Sequence, residues 1–264
     1  MKTDSSHWYD SQCNPCHTIV GKNGKPRKTT IRDARENRWF PSVTTVQNIL
    51  AKPQLEDWKF RQITKACFDN PSLSGNYAYD AYHEEIMSQA FQQVTDAADL
   101  GTAIHKALED YFQGREYDPS LDVYVKAVDA WCETNQVTFK GHELRLVNKS
   151  MGYAGTTDAH IVCPLGEGIL DFKTRKTKPG EKCEPYDGQA MQIAAYYVAM
   201  NPHPDEEYYF FNPGAVGVNV FISTTEPGRI EASWYDYMRL SQEWRAFEAC
   251  LMIWKHFNKY DPCE

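Results

Sequence analysis

Four short stretches carry side chains whose types and spacing suit chemistry. His105 and Glu109 stand at i and i+4 in Gly101-Thr-Ala-Ile-His105-Lys-Ala-Leu-Glu109, so a helix would present both on one face. Asp158 closes Gly152-Tyr-Ala-Gly155-Thr-Thr-Asp158, where glycines allow close backbone approach and an acid in a strand calls for a partner. In Ile169-Leu-Asp171-Phe-Lys173-Thr, strand period puts Asp171 and Lys173 on one face and Phe172 on the other, toward the core. Gln192 and Tyr196 are again i and i+4 in a helical stretch. Taken singly, the His–Glu pair reads as a surface pair, Asp158 as an edge acid and Gln192/Tyr196 as an ordinary packed helix. Together, one imidazole and two carboxylates suit a divalent ion, Mg²⁺ or Mn²⁺. A lysine beside them could orient a nucleophilic water or stabilise the charge that develops on a phosphoryl group.

The elements that must position these groups follow from period and punctuation. Residues 7–30 read as short strands around the Gly21–Pro26 turn cluster, Thr30 opens a short helix through Arg35, and Ser42 caps a second. Helices are expected over Pro53–Phe68, 79–95 and Asp99–Phe112, with a loop at Asn70–Tyr77, then over Ser120–Thr134. The period then changes. Strands are expected at Thr138–Val147, Met151–Val162 and Gly168–Thr174, a helix at Asp187–Met200, and strands at Tyr208–Phe211, Val216–Ile222 and Arg229–Ala232. A long terminal helix is expected over Ser233–Phe257, its apolar face built from Trp234, Tyr237, Trp244, Phe247, Leu251 and Trp254. The fold class is α/β, a mixed sheet flanked by helices with a largely helical N-terminal lobe. We expect one domain over residues 1–264, with an N-terminal lobe over 1–95 and a core over 96–264 that carries the four stretches.

The order of motifs resembles the PD-(D/E)XK nuclease superfamily: G-T-x-x-H-x-x-x-E at Gly101–Glu109, G-x-x-D at Gly155–Asp158, D-x-K-T at Asp171–Thr174 and Q-x-x-x-Y at Gln192–Tyr196. The likeness is to its RecB-like exonuclease branch, including tailed-phage exonucleases. Arg32-Asp-Ala-Arg35 and Pro41-Ser-Val-Thr-Thr45 are similar to the N-terminal part of those phage enzymes. Pro-Ser-Val-Thr is also similar to a segment of mitochondrial genome maintenance exonucleases. The likeness spans roughly residues 30–200.

This resemblance implies a restriction-endonuclease-like fold. It also implies metal ligation by His105, Asp158, Asp171 and the carbonyl of Phe172, with Lys173 as the catalytic lysine. Glu109 would be a further acid or an outer partner, and Gln192 and Tyr196 would position the lysine or the DNA backbone. The implied activity is metal-dependent DNA exonuclease action, by a metal-activated water, on single-stranded ends in phage DNA replication, recombination or degradation. A structure-selective endonuclease and a silent DNA-binding protein remain alternatives, and oligomeric state is open. Relatives with an iron–sulfur cluster carry three clustered distal cysteines. Here only Cys250 and Cys263 are distal, so no cluster is expected, and no nucleotide cofactor is expected either.

Composition sets the outer bounds. The 264 residues are 42% hydrophobic and 24% charged, which fits a globular chain and excludes disorder as the main state. No apolar run approaches the roughly 20 residues that span a bilayer. The first residues lack an apolar signal region, so a cytoplasmic location is expected, that of a host if phage-encoded, with no membrane partner. Of eight cysteines only Cys13 and Cys16 form a C-x-x-C, half a zinc site, and free thiols are expected.

The net charge of −8 argues against a nonspecific nucleic-acid coat. Residues 1–40 nevertheless hold eight basic against four acidic side chains. Candidate DNA contacts are Arg32 and Arg35, together with Ser42, Thr44 and Thr45 at a helix start. The basic run of Arg175, Lys176 and Lys178 beside the active strand is a further candidate.

Overall fold

The computed structural model describes residues 7–71, 78–201 and 211–264. Strands β1 (Trp8–Tyr9), β2 (Thr18–Val20) and β3 (Pro26–Lys28) come first, followed by helix α1 (Ile31–Asn37), strand β4 (Phe40–Pro41) and helix α2 (Val43–Gln47). β1 pairs with β4, and β2 with β3, as two small antiparallel ladders. Helices α3 (Pro53–Asp69) and α4 (Tyr79–Phe112) pack on each other, and α5 (Asp122–Thr134) follows a short 3-10 turn at Pro119–Leu121. Strands β5 (Thr138–Asn148), β6 (Tyr153–Cys163) and β7 (Gly166–Arg175), helix α6 (Gln189–Met200), strands β8 (Ala215–Ser223) and β9 (Ile230–Tyr235), and helix α7 (Tyr237–Asn258) complete the chain.

The main sheet has the order β5-β6-β7-β8-β9. Only β7 and β8 run parallel, joined by the α6 crossover; every other neighbour pair is antiparallel. Alternation on β7 divides the core in two. Leu170 and Phe172 pack with Ile104 and Leu108 of α4 and Val125 and Val128 of α5. Ile169 packs on the other face with Ile193 and Tyr197 of α6 and Leu240, Trp244 and Phe247 of α7. The molecule is thus α/β, a mixed sheet with helices on both faces and a helical N-terminal region, as the period changes predict.

Boundaries differ where local signals were weak. The two helices expected over 79–95 and Asp99–Phe112 are one helix of 34 residues, which crosses residue 95 without a break. The polar stretch between them contains no proline, and Gly101 is held in the helix interior by its packing on β7. Ser233 and Trp234 belong to β9 rather than to the terminal helix. Trp234 stacks on Trp131 at 5.8 Å, and Asp236 caps α7 by accepting from the Arg239 N–H at 2.8 Å. The strand expected at Tyr208–Phe211 and most of the loop at Asn70–Tyr77 lie outside the described residues; Phe211 itself is buried and stacks on Tyr197 outside any strand. No helix among the described residues is long and apolar enough to cross a membrane.

Candidate active site

The site forms where the β6–β7 ladder opens. Pairing runs from Cys163↔Gly166 to Ala159↔Leu170 and stops there. The next pair in that register would be Asp158 and Asp171, so the two carboxylates stand abreast at the fork. Beyond it β6 stays with β5, and β7 stays with β8. Asp158 Oδ2 accepts the Phe172 N–H at 2.6 Å, supplying the bond that the parted strand no longer makes.

Two motif glycines bring helices to this fork. Gly101 of α4 lies against Thr174 of β7; a Cβ there would sit 2.8 Å from Thr174 Oγ1. That approach delivers His105, one turn further along, with Nδ1 at 3.5 Å from Asp158 Oδ1. Gly155 of β6 lies against the Tyr196 ring, where a Cβ would meet Cε1 at 2.5 Å. Lys173 Nζ touches both oxygens of Asp171, at 2.8 and 2.7 Å, and donates to Gln192 Oε1 at 3.2 Å. Gln192 Nε2 donates to the Tyr196 hydroxyl at 3.0 Å. All four motifs therefore meet at one place.

The charges are tightly coupled. Burial raises the Asp171 pKa, and the Asp158 charge adds to it against the pull of Lys173. Burial works the same way on Asp158, but His105, Lys173 and the Phe172 N–H outweigh it and hold that carboxyl below its usual range. Burial disfavours a charged His105, yet Asp158 and Asp171 outweigh it and raise its pKa. Lys173 is likewise held charged by Asp171 and Asp158 despite its burial. Burial pushes the Tyr196 hydroxyl far up, so it stays a neutral hydrogen-bonding group.

Several predicted residues take other roles. Glu109 is tied to Arg115 at 2.7 Å and Lys106 at 3.1 Å, although it still walls a small cavity with His105, Phe112, His142, Glu143 and Asp158. Ser42 and Thr45 are buried and satisfied: Ser42 Oγ accepts the Thr45 N–H at 3.0 Å and donates to Thr45 Oγ1, which in turn accepts the His7 N–H at 2.8 Å. They cap and tether α2 and present nothing to a phosphate; of the three hydroxyls only Thr44 is exposed. Arg175 lies over the Tyr186 ring at 3.7 Å and the Phe221 ring at 4.8 Å, with Nη1 on the Glu184 carbonyl, so it braces a loop. Arg35 is bound to the Asn258 carbonyl. Arg32, Lys176 and Lys178 are exposed.

Two further features escaped the sequence reading. Asn219, fully buried in β8, donates to Asp171 Oδ2 at 2.8 Å and accepts from the Tyr235 hydroxyl at 2.9 Å. A single amide in the apolar run Ala-Val-Gly-Val-Asn219-Val-Phe-Ile was the available signal. Glu143 faces Asp158 across the β5–β6 register, between His142↔Ala159 and Leu144↔Thr157, in a left-handed conformation at φ 47°. Burial, then Asp158 and Glu109, push its carboxyl up to about 7. Nothing in the strand alternation marks that backbone turn.

Among the described residues, no three His, Cys, Asp or Glu side chains are already gathered so as to hold a metal ion. The donor types at the fork nonetheless fit one. Two buried carboxylates face an imidazole, with a single lysine to balance them, so the pair is short of positive charge unless His105 is protonated or a cation is present.

No family model matches the chain, and no curated protein matches it. A solved structure described as "Crystal structure of SSO0001" is similar over 73% of this chain and 84% of that chain, at 16% identity and a TM-score of 0.32. A similarity at that score carries no argument.

Proposed function

We propose that the chain is a metal-dependent DNA nuclease of the PD-(D/E)XK type, acting as an exonuclease on single-stranded ends. The observation that carries this reading is the fork, where Asp158 and Asp171 stand abreast with His105 on one and Lys173 on the other. His105, Asp158, Asp171 and the Phe172 carbonyl would hold Mg²⁺ or Mn²⁺, which suits oxygen donors with one imidazole. The bound ion would supply an activated water and share the charge that builds on the scissile phosphate.

The chain's own residues do the rest. Gln192, backed by Tyr196, holds Lys173 over Asp171, so a fixed ammonium faces the developing negative charge. Asp158 anchors the Phe172 amide and so fixes the backbone at that point. Exposed Arg32, Thr44, Lys176 and Lys178 offer phosphate contacts. The cytoplasmic setting, and a place in phage DNA replication, recombination or degradation, belong to the same proposal.

The test is digestion of end-labelled single- and double-stranded DNA, and of a single-stranded circle, with and without Mn²⁺. We expect metal-dependent release of short products from linear single strands and an intact circle. Cutting of the circle would move the reading to an endonuclease. No metal-dependent product from any substrate would overturn it.

A further inference from the structure

We infer that Asn219, locked by Tyr235, is a positioning residue that aims the Asp171 carboxylate and so sets how tightly the site takes a divalent ion. This rests on the nuclease reading above. Three neighbouring strands supply the relay: Asp171 from β7, Asn219 directly opposite it on β8, and Tyr235 from β9. Asn219 is fully buried between Val218 and Val220, where an apolar residue would complete the strand's pattern. A buried amide is costly unless both ends are bonded, and here both are.

The chemistry fixes its orientation. The carboxylate can only accept, so the Asn219 amide nitrogen faces Asp171, and the carbonyl is left to accept the Tyr235 hydroxyl. That hydroxyl therefore prevents the amide from turning over and presenting oxygen to oxygen. Oδ2 takes both the Asn219 amide and Lys173 Nζ, while Oδ1 takes Lys173, so the rigid amide from β8 fixes which oxygen lies toward the core. Lys173 already bridges both oxygens, so without Asn219 the ammonium of a long, flexible side chain is left to set the plane of the carboxylate, which then turns with it. Partners that orient a metal-ligating group change metal affinity by about 10–100-fold when removed.

The experiment is a calorimetric titration of the whole chain with Mn²⁺, together with thermal melts and the Mn²⁺ concentration for half-maximal cleavage. It compares wild type, Asn219→Leu, Tyr235→Phe and Asp171→Asn. We expect Asn219→Leu to weaken Mn²⁺ binding by about 10–100-fold and raise the Mn²⁺ requirement equally. Tyr235→Phe, which keeps the ring and removes only the lock, shifts both in the same direction by less. Tyr235→Phe decides the matter if Asn219→Leu does not fold. Variants that bind Mn²⁺ like wild type and differ only in melting temperature overturn the positioning role and leave the nuclease reading standing. A wild type that neither binds Mn²⁺ nor cleaves, or an Asp171→Asn that binds it unchanged, overturns both.

Discussion

Gly101 and Gly155 are points of closest approach, and this explains why each stands where it does in its motif. Gly101 lets α4 touch β7 one turn before His105, and Gly155 makes room for Tyr196 on the face that holds Lys173 through Gln192. Gly101→Val should push α4 off Thr174 and carry His105 away from Asp158. Overpacking of this kind costs about 1–3 kcal/mol of stability, whereas a displacement of about 1 Å can cost 10²-fold in rate. Cleavage should therefore fall by about two orders of magnitude in a variant that still melts cooperatively; an unchanged rate would show that His105 is not needed where it is. Asp171→Asn and Lys173→Ala should each lower cleavage by about 10²–10³-fold with circular dichroism unchanged. Glu143 gives a pH signature. Its folded pKa of about 7 lies above the value in an unfolded chain. Between those values the folded chain keeps a proton that the unfolded chain has lost, so stability falls as pH rises toward 7. In chelator, Glu143→Gln should flatten that part of the melting profile between pH 5 and 8; parallel profiles would refute the shift.

At the scale of elements, the site sits on rigid strands while the α3–α4 hairpin stands on a small core of its own. That core comprises Ala66, Ile86 and Ala90 with Ile63, Cys67, Tyr82 and Phe91 around them, and Phe60, Phe68 and Tyr79 are left exposed. Amide exchange should accordingly be faster in Pro53–Asp69 and the first half of α4 than in β8, whose residues are all buried, and the buried centre of β7 at Gly168–Phe172. Equal protection would show that the hairpin is held by something beyond its own contacts. β5 and β6 were legible because their alternation is intact, β7 and β8 as short apolar runs, and Pro164-Leu165 marks the β6–β7 turn. The α4 boundary was not, since a polar stretch without proline gives no sign of whether a helix stops. The spacing of Trp234 fits a helix as well as a strand, and its partner Trp131 is distant in sequence. The motif residues were legible as a set through type and order, but what neutralises each was not. Glu109 reads the same from sequence whether or not Arg115 folds back onto it, and Ser42 the same whether its hydroxyl is open or used as a cap.

For the molecule as a whole, charge is divided between regions. Residues 79–105 hold five acidic side chains and no lysine or arginine, whereas Lys22 and Lys25 lie in the turn, and Arg27 and Lys28 in the second strand, of the exposed β2–β3 hairpin. Under the proposed function, a DNA strand approaching the fork should favour the second surface. Replacing Lys22, Lys25 and Lys28 with alanine should weaken single-strand binding and reduce the slope of log affinity against log salt by about 0.7 per lost contact. Fluorescence anisotropy over a salt series measures it, and an unchanged slope would place the strand elsewhere. The parted ladder has one more consequence. Asp158 closes a hole in the sheet at Phe172, and under the proposed function it would hold the metal as well. The sheet needs only an acceptor at that position, whereas the proposed metal also needs the charge. Were the proposed activity lost and the shape kept, an asparagine could stand at position 158, because its carbonyl still accepts the Phe172 N–H.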